Sequence, residues 1–296
     1  MQEALVRPLA FDLPRAAQGV AVALCIALGL YFGLAEFGDW YLSDLNVYLG
    51  AAERVAAGGS PYLIPSSDIH DVFRYAPWFA YAFIPFTWLP LDVTRVVWSA
   101  LMVVASLWAV YPVARQGPAG LALGVLCGGM LIGVAGSGNV QPLLVAVLVH
   151  GINRRSGPLW IALAASLKAV PLVFAGYYLA RREWGRLAAS LVMTVLLVAP
   201  MLLFERPPTT FDPGESLSVW STSPVAWAIV AGLTGILALV ACLSRSRFSG
   251  AYLAAAAMLA LPRLFVYDVS FALAGSVGEQ TPNRDADHFD EQSAPA

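Results

Sequence analysis

Hydrophobic positions in this chain come in long unbroken runs, and the polar positions gather between them. Ala16 to Ala35 is the first run; Ala76 to Pro90, Val96 to Val110, Ala119 to Ala135 and Val140 to His150 follow. Leu159 to Ala180, Leu187 to Phe204 and Pro224 to Leu243 read as full crossings of a ~30 Å hydrocarbon layer. The last run, Ala251 to Val277, is interrupted at Pro262-Arg263 and Tyr267-Asp268. The pattern predicts an all-α polytopic membrane protein, a helical bundle of about eight to ten spans at ~20 residues each. Ala119–Ala135 and Val140–His150 are short for a perpendicular crossing and meet at Gly136-Ser137-Gly138-Asn139, which predicts a buried hairpin of half-spans.

One polar stretch differs from the other connections. Between Ser43 and Pro77, the residues Leu45, Tyr48, Leu49, Ala52 and Val55/Ala56 recur at helical spacing, and Gly58-Gly59 ends the pattern. This predicts a short amphipathic helix along a membrane surface, N-capped by Ser43, with Asp44 in its first turn. A carboxylate there sees the positive end of the helix dipole, which favours its ionised form. Ionised, it can act as a general base near neutral pH.

Composition agrees with the membrane class: 59% of residues are hydrophobic and 12% charged, and mean hydropathy is +0.69, against about 25% charged residues in soluble domains. A formal net charge of −2 with no basic run gives no sign of a nucleic-acid partner. Cys25, Cys127 and Cys242 lie inside apolar runs without Cys-x-x-Cys spacing and read as packing residues. Ala16–Ala35 is followed by Glu36-Phe37-Gly38-Asp39-Trp40 and not by a small-x-small cleavage site, which predicts an uncleaved anchor, and Arg7 and Arg15 before it favour the N-terminus inside and the Asp44 loop outside. Taking every run as a crossing puts Arg181-Arg182, Arg186, Arg245 and Arg247 inside, but Arg154-Arg155 outside, against the positive-inside rule. Residues 1–277 thus form one transmembrane domain with its first external loop at about 36–76, and the acidic stretch 278–296 is expected to be disordered.

Candidate chemistry sits where a bilayer should exclude it. Lys168, near the middle of a run, is a site candidate able to neutralise a lipid phosphate; the other reading breaks the run before Pro171 and lets the lysine reach an interface. Asn139 and Gln141 line the same cavity or cap the hairpin. Arg74 binds phosphate or anchors at headgroups, beside Tyr75 where the chain re-enters the membrane. Arg263, Tyr267 and Asp268 contact acceptor or phosphate, or form an internal ion pair in a broken helix. Glu53 and Arg54 read as a solvated helix face. Asp68, His70 and Asp71 lack the further ligands of a metal site, and no zinc, P-loop or dinucleotide-binding motif is present.

In order along the chain stand Asp44, Tyr48 and Ala51-Ala52 on a short helix, Gly59 and Tyr62, then Tyr75 with Pro77 opening the next apolar run. Gly138-Asn139-Val140-Gln141, Lys168 to Pro171 and Arg181-Arg182-Glu183-Trp184 follow. This series resembles glycosyltransferase family 87, the polyprenyl-phosphate-mannose-dependent mannosyltransferases of the GT-C fold, over the first two-thirds of the chain. Ala76 stands where the family usually has a proline, and family chains usually carry further spans at the C-terminal end. The resemblance implies a GT-C-like bundle in the cell membrane that moves a hexose, mannose above all, from a polyprenyl-phosphate donor to a lipid or glycan acceptor. Transfer is on the non-cytoplasmic face, with inversion and without a cofactor. It implies Asp44 as catalytic base and Arg74, Tyr75, Asn139, Gln141, Lys168, Arg263, Tyr267 and Asp268 as substrate-binding residues. A lipid or small-solute transporter, or an inactive membrane subunit, is the alternative reading of the same runs.

Overall fold

The computed structural model describes residues 15–35, 41–63, 72–205 and 216–277. Asp68, His70, Asp71 and the acidic stretch 278–296 lie outside these residues. The protein is an all-α polytopic membrane protein, and no strand occurs among the described residues. Its helices are α1 (Arg15–Ala35), α2 (Ser43–Ala56), α3 (Pro77–Thr87), α4 (Leu91–Ala114), α5 (Pro118–Gly136), α6 (Gln141–Gly151), α7 (Gly157–Leu167), α8 (Gly176–Ala180), α9 (Trp184–Val198), α10 (Pro224–Leu243), α11 (Ser249–Leu259) and α12 (Phe271–Val277). Five segments are long and apolar enough to cross a membrane: Ala17–Ala35, Leu91–Ala114, Pro118–Gly136, Trp184–Leu203 and Pro224–Leu243.

The shorter helices depart from the pattern of runs. Leu159–Ala180, expected to cross once, is a hairpin instead. Helix α7 stops at Lys168, whose backbone is extended (φ −142°, ψ 118°). A 3-10 turn over Val170–Ala175 then starts the return into α8. The two arms face each other: the Tyr178 hydroxyl donates to the Ile152 carbonyl at 2.9 Å, and a Cβ at Gly157 would sit 2.1 Å from that hydroxyl. The last run does the same. Helix α11 ends at Leu259, the chain runs irregularly to Phe265, and a 3-10 turn over Val266–Ser270 leads into α12. Gly275 lies against Gly250, so the base of α12 returns to the base of α11.

These hairpins repair the charge pattern. Asn153 Nδ2 donates to the Val277 carbonyl at 3.0 Å, Arg181 Nη2 donates to Asn153 Oδ1 at 2.8 Å, and Arg186 donates to the Arg154 carbonyl. The Arg154–Arg155 loop therefore shares an end of the bundle with the Arg181–Arg186 loop, and the expectation that it lies on the opposite side is overturned. Helix α3 is not a crossing either. Phe79 packs against Tyr48 of α2 while Phe86 packs against Trp98 in the second turn of α4, so α3 stays at one end. Of the pair expected as half-spans, α5 is long enough to span, and α6, mostly buried, is not.

Helices α1 and α5 approach through glycine. A Cβ on Gly129 would lie 1.8 Å from the Gly29 carbonyl oxygen, and one on Gly29 would lie 2.3 Å from that of Val125. Small residues allow such backbone contact in a medium where apolar side chains gain little by leaving lipid. Gly129→Ala should therefore lower stability by about 1–3 kcal/mol through overpacking. Gly19→Ala, where a Cβ meets nothing within 4 Å, should not. Thermal unfolding of the detergent-solubilised variants measures both.

Candidate active site

The site begins with how α2 is held. Ser43 does not cap it. The N-cap is Leu42 in the left-handed region (φ 50°, ψ 34°) and no side chain caps the helix. The carbonyls of the α5–α6 turn take that place: Leu42 N donates to Gly136 O at 3.0 Å and Asp44 N to Ser137 O at 2.8 Å. Buried Leu45, Tyr48, Ala51, Ala52 and Val55 turn the apolar face of α2 into the bundle. The turn is fixed in its own right, because Gly138 has φ +78° and its carbonyl accepts from Trp98 Nε1 at 2.7 Å.

Asp44 thus stands half-buried over the α5–α6 turn. Its Oδ2 accepts from Asn139 Nδ2 at 2.8 Å and from Ser137 Oγ at 3.2 Å, while Oδ1 has no hydrogen bond to the described residues. Burial pushes its pKa above the ordinary carboxylate value; the Asn139 and Ser137 hydrogen bonds, then the charges of Arg74 and Lys168, pull it back. Asn139 joins the α5–α6 turn to Asp44. Its Oδ1 accepts from Gln141 N at 2.9 Å, opening α6, while its amide holds the carboxylate.

Below Asp44 the phenols of Tyr48 and Tyr75 are 3.0 Å apart. Tyr62 donates to the Tyr75 carbonyl at 2.9 Å. Burial and the Asp44 charge raise the pKa of Tyr75, so its phenol remains a hydrogen-bond donor.

The tips of the two hairpins meet at Lys168, the chain's sole lysine. Its ammonium pairs with Asp268 and donates to Gln141 Oε1 at 3.3 Å. Asp268 Oδ2 accepts from Phe265 N at 3.0 Å, and Gln141 Nε2 donates to Ser270 Oγ at 3.3 Å. Gln141 and Asp268 are fully buried, and their polar atoms bond to Lys168, Ser270 and the backbone. The run does break before Pro171, and the Lys168 side chain is about a quarter exposed at the break. The internal ion pair exists, but its cation is Lys168 and not the nearby Arg263. Arg263 instead lies over the Phe265 ring at 5.0 Å. Phe265 stacks on Tyr267 at 5.2 Å and 18°, and Lys168 Nζ sits 5.2 Å from the opposite partner, Tyr267.

A family model for glycosyltransferase family 87 matches residues 73–261, more than half of the chain. The chain belongs to glycosyltransferase family 87. It is a membrane glycosyltransferase, with a sugar donor and an acceptor as its partners in general terms. No curated protein and no solved structure matches it at significant similarity.

The matched stretch of this glycosyltransferase contains Arg74, Tyr75, Asn139, Gln141 and Lys168. Asp44 and the Arg263–Asp268 group lie on either side of it and are drawn to it by the contacts above. Sequence reasoning missed Ser137, whose only signal is its place in the Gly-Ser-Gly-Asn turn, and Ser270, which gives none. Arg54 is no solvated side chain: its Nη2 donates to the Pro61 carbonyl at 2.9 Å and closes the turn after α2.

The hydrogen bonds to Asp44 give a pH prediction. Asn139→Ala removes a donor that favours the carboxylate, so the pKa of Asp44 rises further. The acid limb of the pH–activity profile should then move to higher pH, while the alkaline limb stays. A pH series of initial transfer rates on both proteins measures this; identical acid limbs would remove Asn139 from the account.

Proposed function

We propose that this family 87 enzyme transfers a hexose, with mannose the first candidate, from a polyprenyl-phosphate donor to a lipid or glycan acceptor on the non-cytoplasmic face, with inversion. The observation that carries the reading is Asp44, a half-buried carboxylate with one oxygen tied down and the other without a hydrogen bond to the described residues, at the surface end of a transmembrane bundle. Arg115, Arg154-Arg155, Arg181-Arg182, Arg186, Arg245 and Arg247 gather at the opposite end, where Glu183 is the carboxylate among the described residues. Positive residues mark the cytoplasmic side, which supports placing Asp44 outside. A donor on that side has lost contact with cytoplasmic nucleotide sugars, which favours an activated sugar carried on a lipid.

In this reading Asp44 Oδ1 accepts the proton of the acceptor hydroxyl as its oxygen attacks the anomeric carbon. The bond from that carbon to the phosphate oxygen breaks on the opposite face, and polyprenyl phosphate leaves with both electrons. Arg74 and Arg263 offset the charge gathering on the phosphate. Lys168, whose charge is already matched by Asp268, supports the site by holding the two hairpin tips together, and Tyr75 and Tyr267 present donors and aromatic faces to the sugar.

The test supplies purified enzyme in proteoliposomes with synthetic polyprenyl-phosphate mannose, the corresponding glucose lipid and GDP-mannose, with extracted membrane lipids as acceptors. Transfer from a polyprenyl-phosphate sugar and none from the nucleotide sugar is expected. Transfer from the nucleotide sugar alone would overturn the donor assignment. Movement of lipid across the bilayer without transfer would favour a flippase.

A further inference from the structure

A groove separates α10 from the hairpin arms α8 and α11. It encloses about 270 Å³, and all its lining residues are apolar. Gly176, Ala231, Gly235, Ala238, Ala256 and Ala260 form much of its wall, so the width comes from missing side chains. At Gly235 the space is unfilled, because a Cβ there would meet nothing within 4 Å. Gly176 differs: a Cβ there would lie 2.6 Å from Leu253. Along α11 the wall runs from Leu253 to Ala260, about 10 Å of helix at 1.5 Å per residue. It ends where the irregular stretch carrying Arg263 begins.

Both hairpin breaks lie at this upper end. Val173 lines the groove and belongs to the 3-10 turn that follows Lys168; Ala260 lines it and precedes Arg263. Arg263 Nε is buried and has no hydrogen-bond partner among the described residues, and its guanidinium is backed by the Phe265–Tyr267 stack. The groove is therefore a narrow apolar slot whose upper end, at Ala260, lies three residues along the chain from a cation that carries an unmet donor. That shape and charge order suit a single-tailed lipid with an anionic head. A two-tailed phospholipid would leave one chain outside.

We propose that this groove holds the first isoprenoid units of the donor lipid and that Arg263 binds its phosphate. The inference rests on the donor class given under Proposed function, and adds where that lipid lies and which helices admit it from the bilayer. Helix α10 forms one lip, so the donor enters between α10 and α11.

Gly235→Leu is the decisive variant. The leucine projects into the groove without a clash and is a better helix former than glycine. Gly232→Leu, one turn earlier on α10 at a residue that does not line the groove and where a Cβ also meets nothing within 4 Å, is the control. The KM for a long-chain donor should rise about tenfold in Gly235→Leu, as expected when a few buried methylene contacts are lost. A donor carrying a single isoprenoid unit, the acceptor KM and the Gly232→Leu enzyme should be unchanged. Arg263→Gln should weaken donors of either length alike.

Binding of sugar-free polyprenyl phosphate, read by native mass spectrometry of the solubilised protein, keeps the inference separate from the catalytic reading. Retention by wild type and Gly232→Leu but not Gly235→Leu would support the groove even if no sugar were transferred. Equal retention by Gly235→Leu, or no retention by wild type, would overturn it. Loss in Gly232→Leu as well would do the same, since the effect would then belong to α10 and not to the groove.

Discussion

Asp44→Asn should abolish transfer, lowering the rate by about a hundred- to ten-thousand-fold, the range that a positioned general base contributes. The hydrogen bonds explain why so small a change suffices. Asn139 Nδ2 and Ser137 Oγ both donate to Oδ2, so the new amide turns its oxygen toward them. Its NH₂ then takes the place of Oδ1 and offers a donor where the acceptor hydroxyl needs an acceptor. The protein should remain folded. A carboxyl whose pKa is raised by folding contributes stability that is fully present when it is protonated and is lost as pH rises through the folded value. At neutral pH a neutral amide therefore removes a cost and leaves packing intact. Rates measured at matched expression, with thermal unfolding beside them, check both halves. Unchanged transfer would end the assignment of Asp44 as the base.

The second large effect concerns stability. Lys168→Met leaves Asp268 charged and enclosed, while Asp268→Leu leaves the ammonium without its counter-charge. Each should destabilise by about 3–5 kcal/mol, as removal of one partner from a buried pair does. Asp268 is the more demanding position because it is fully buried and also fixes the Phe265 backbone. The double variant Lys168→Met with Asp268→Leu should recover most of the loss, since an apolar pair can replace a buried ion pair at little cost. Transfer should return with stability, because the role given to Lys168 is to join the hairpin tips. A double variant that is stable but inactive would move Lys168 back to the phosphate. Thermal unfolding in detergent and transfer assays on all four proteins distinguish these outcomes.

Much of this was legible in the residue order, and what escaped has a common cause. The helical spacing of Leu45, Tyr48, Ala52 and Val55 marks α2, and Gly58, at φ +82°, ends it. The N-terminal cap escapes the sequence because Ser43 is the right residue type in the right position, yet carbonyls more than ninety residues away do its work through the α5–α6 turn. Hydropathy reads Leu159–Ala180 as one crossing because it sums side chains and is blind to direction. The extended backbone at Lys168 turns two apolar arms back on one another without changing their composition. Asn139 reads as a cap or as a site residue from its place in the turn, and in the structure it bonds both the Gln141 backbone and the Asp44 carboxylate. The pairing of Lys168 with Asp268 had no local signal, since each residue shows only as a charge in an apolar run, and Arg263 is the nearer partner along the chain.

The distance between those two charges along the chain governs how the protein is made. Lys168 and Asp268 are 100 positions apart, so the first hairpin leaves the ribosome with an ammonium in its tip and no counter-ion. At ~5–20 residues per second of synthesis, the lysine waits several seconds for its partner. Over that interval it carries an insertion penalty of about 2.5–3.5 kcal/mol. The half-built bundle must keep the α7–α8 tip near water, or lean on an insertion factor, until α11 and α12 arrive. Quality control thus has a natural checkpoint in α11 and α12, and a ribosome that stops before Asp268 releases a protein whose α7–α8 tip still carries an unmatched charge.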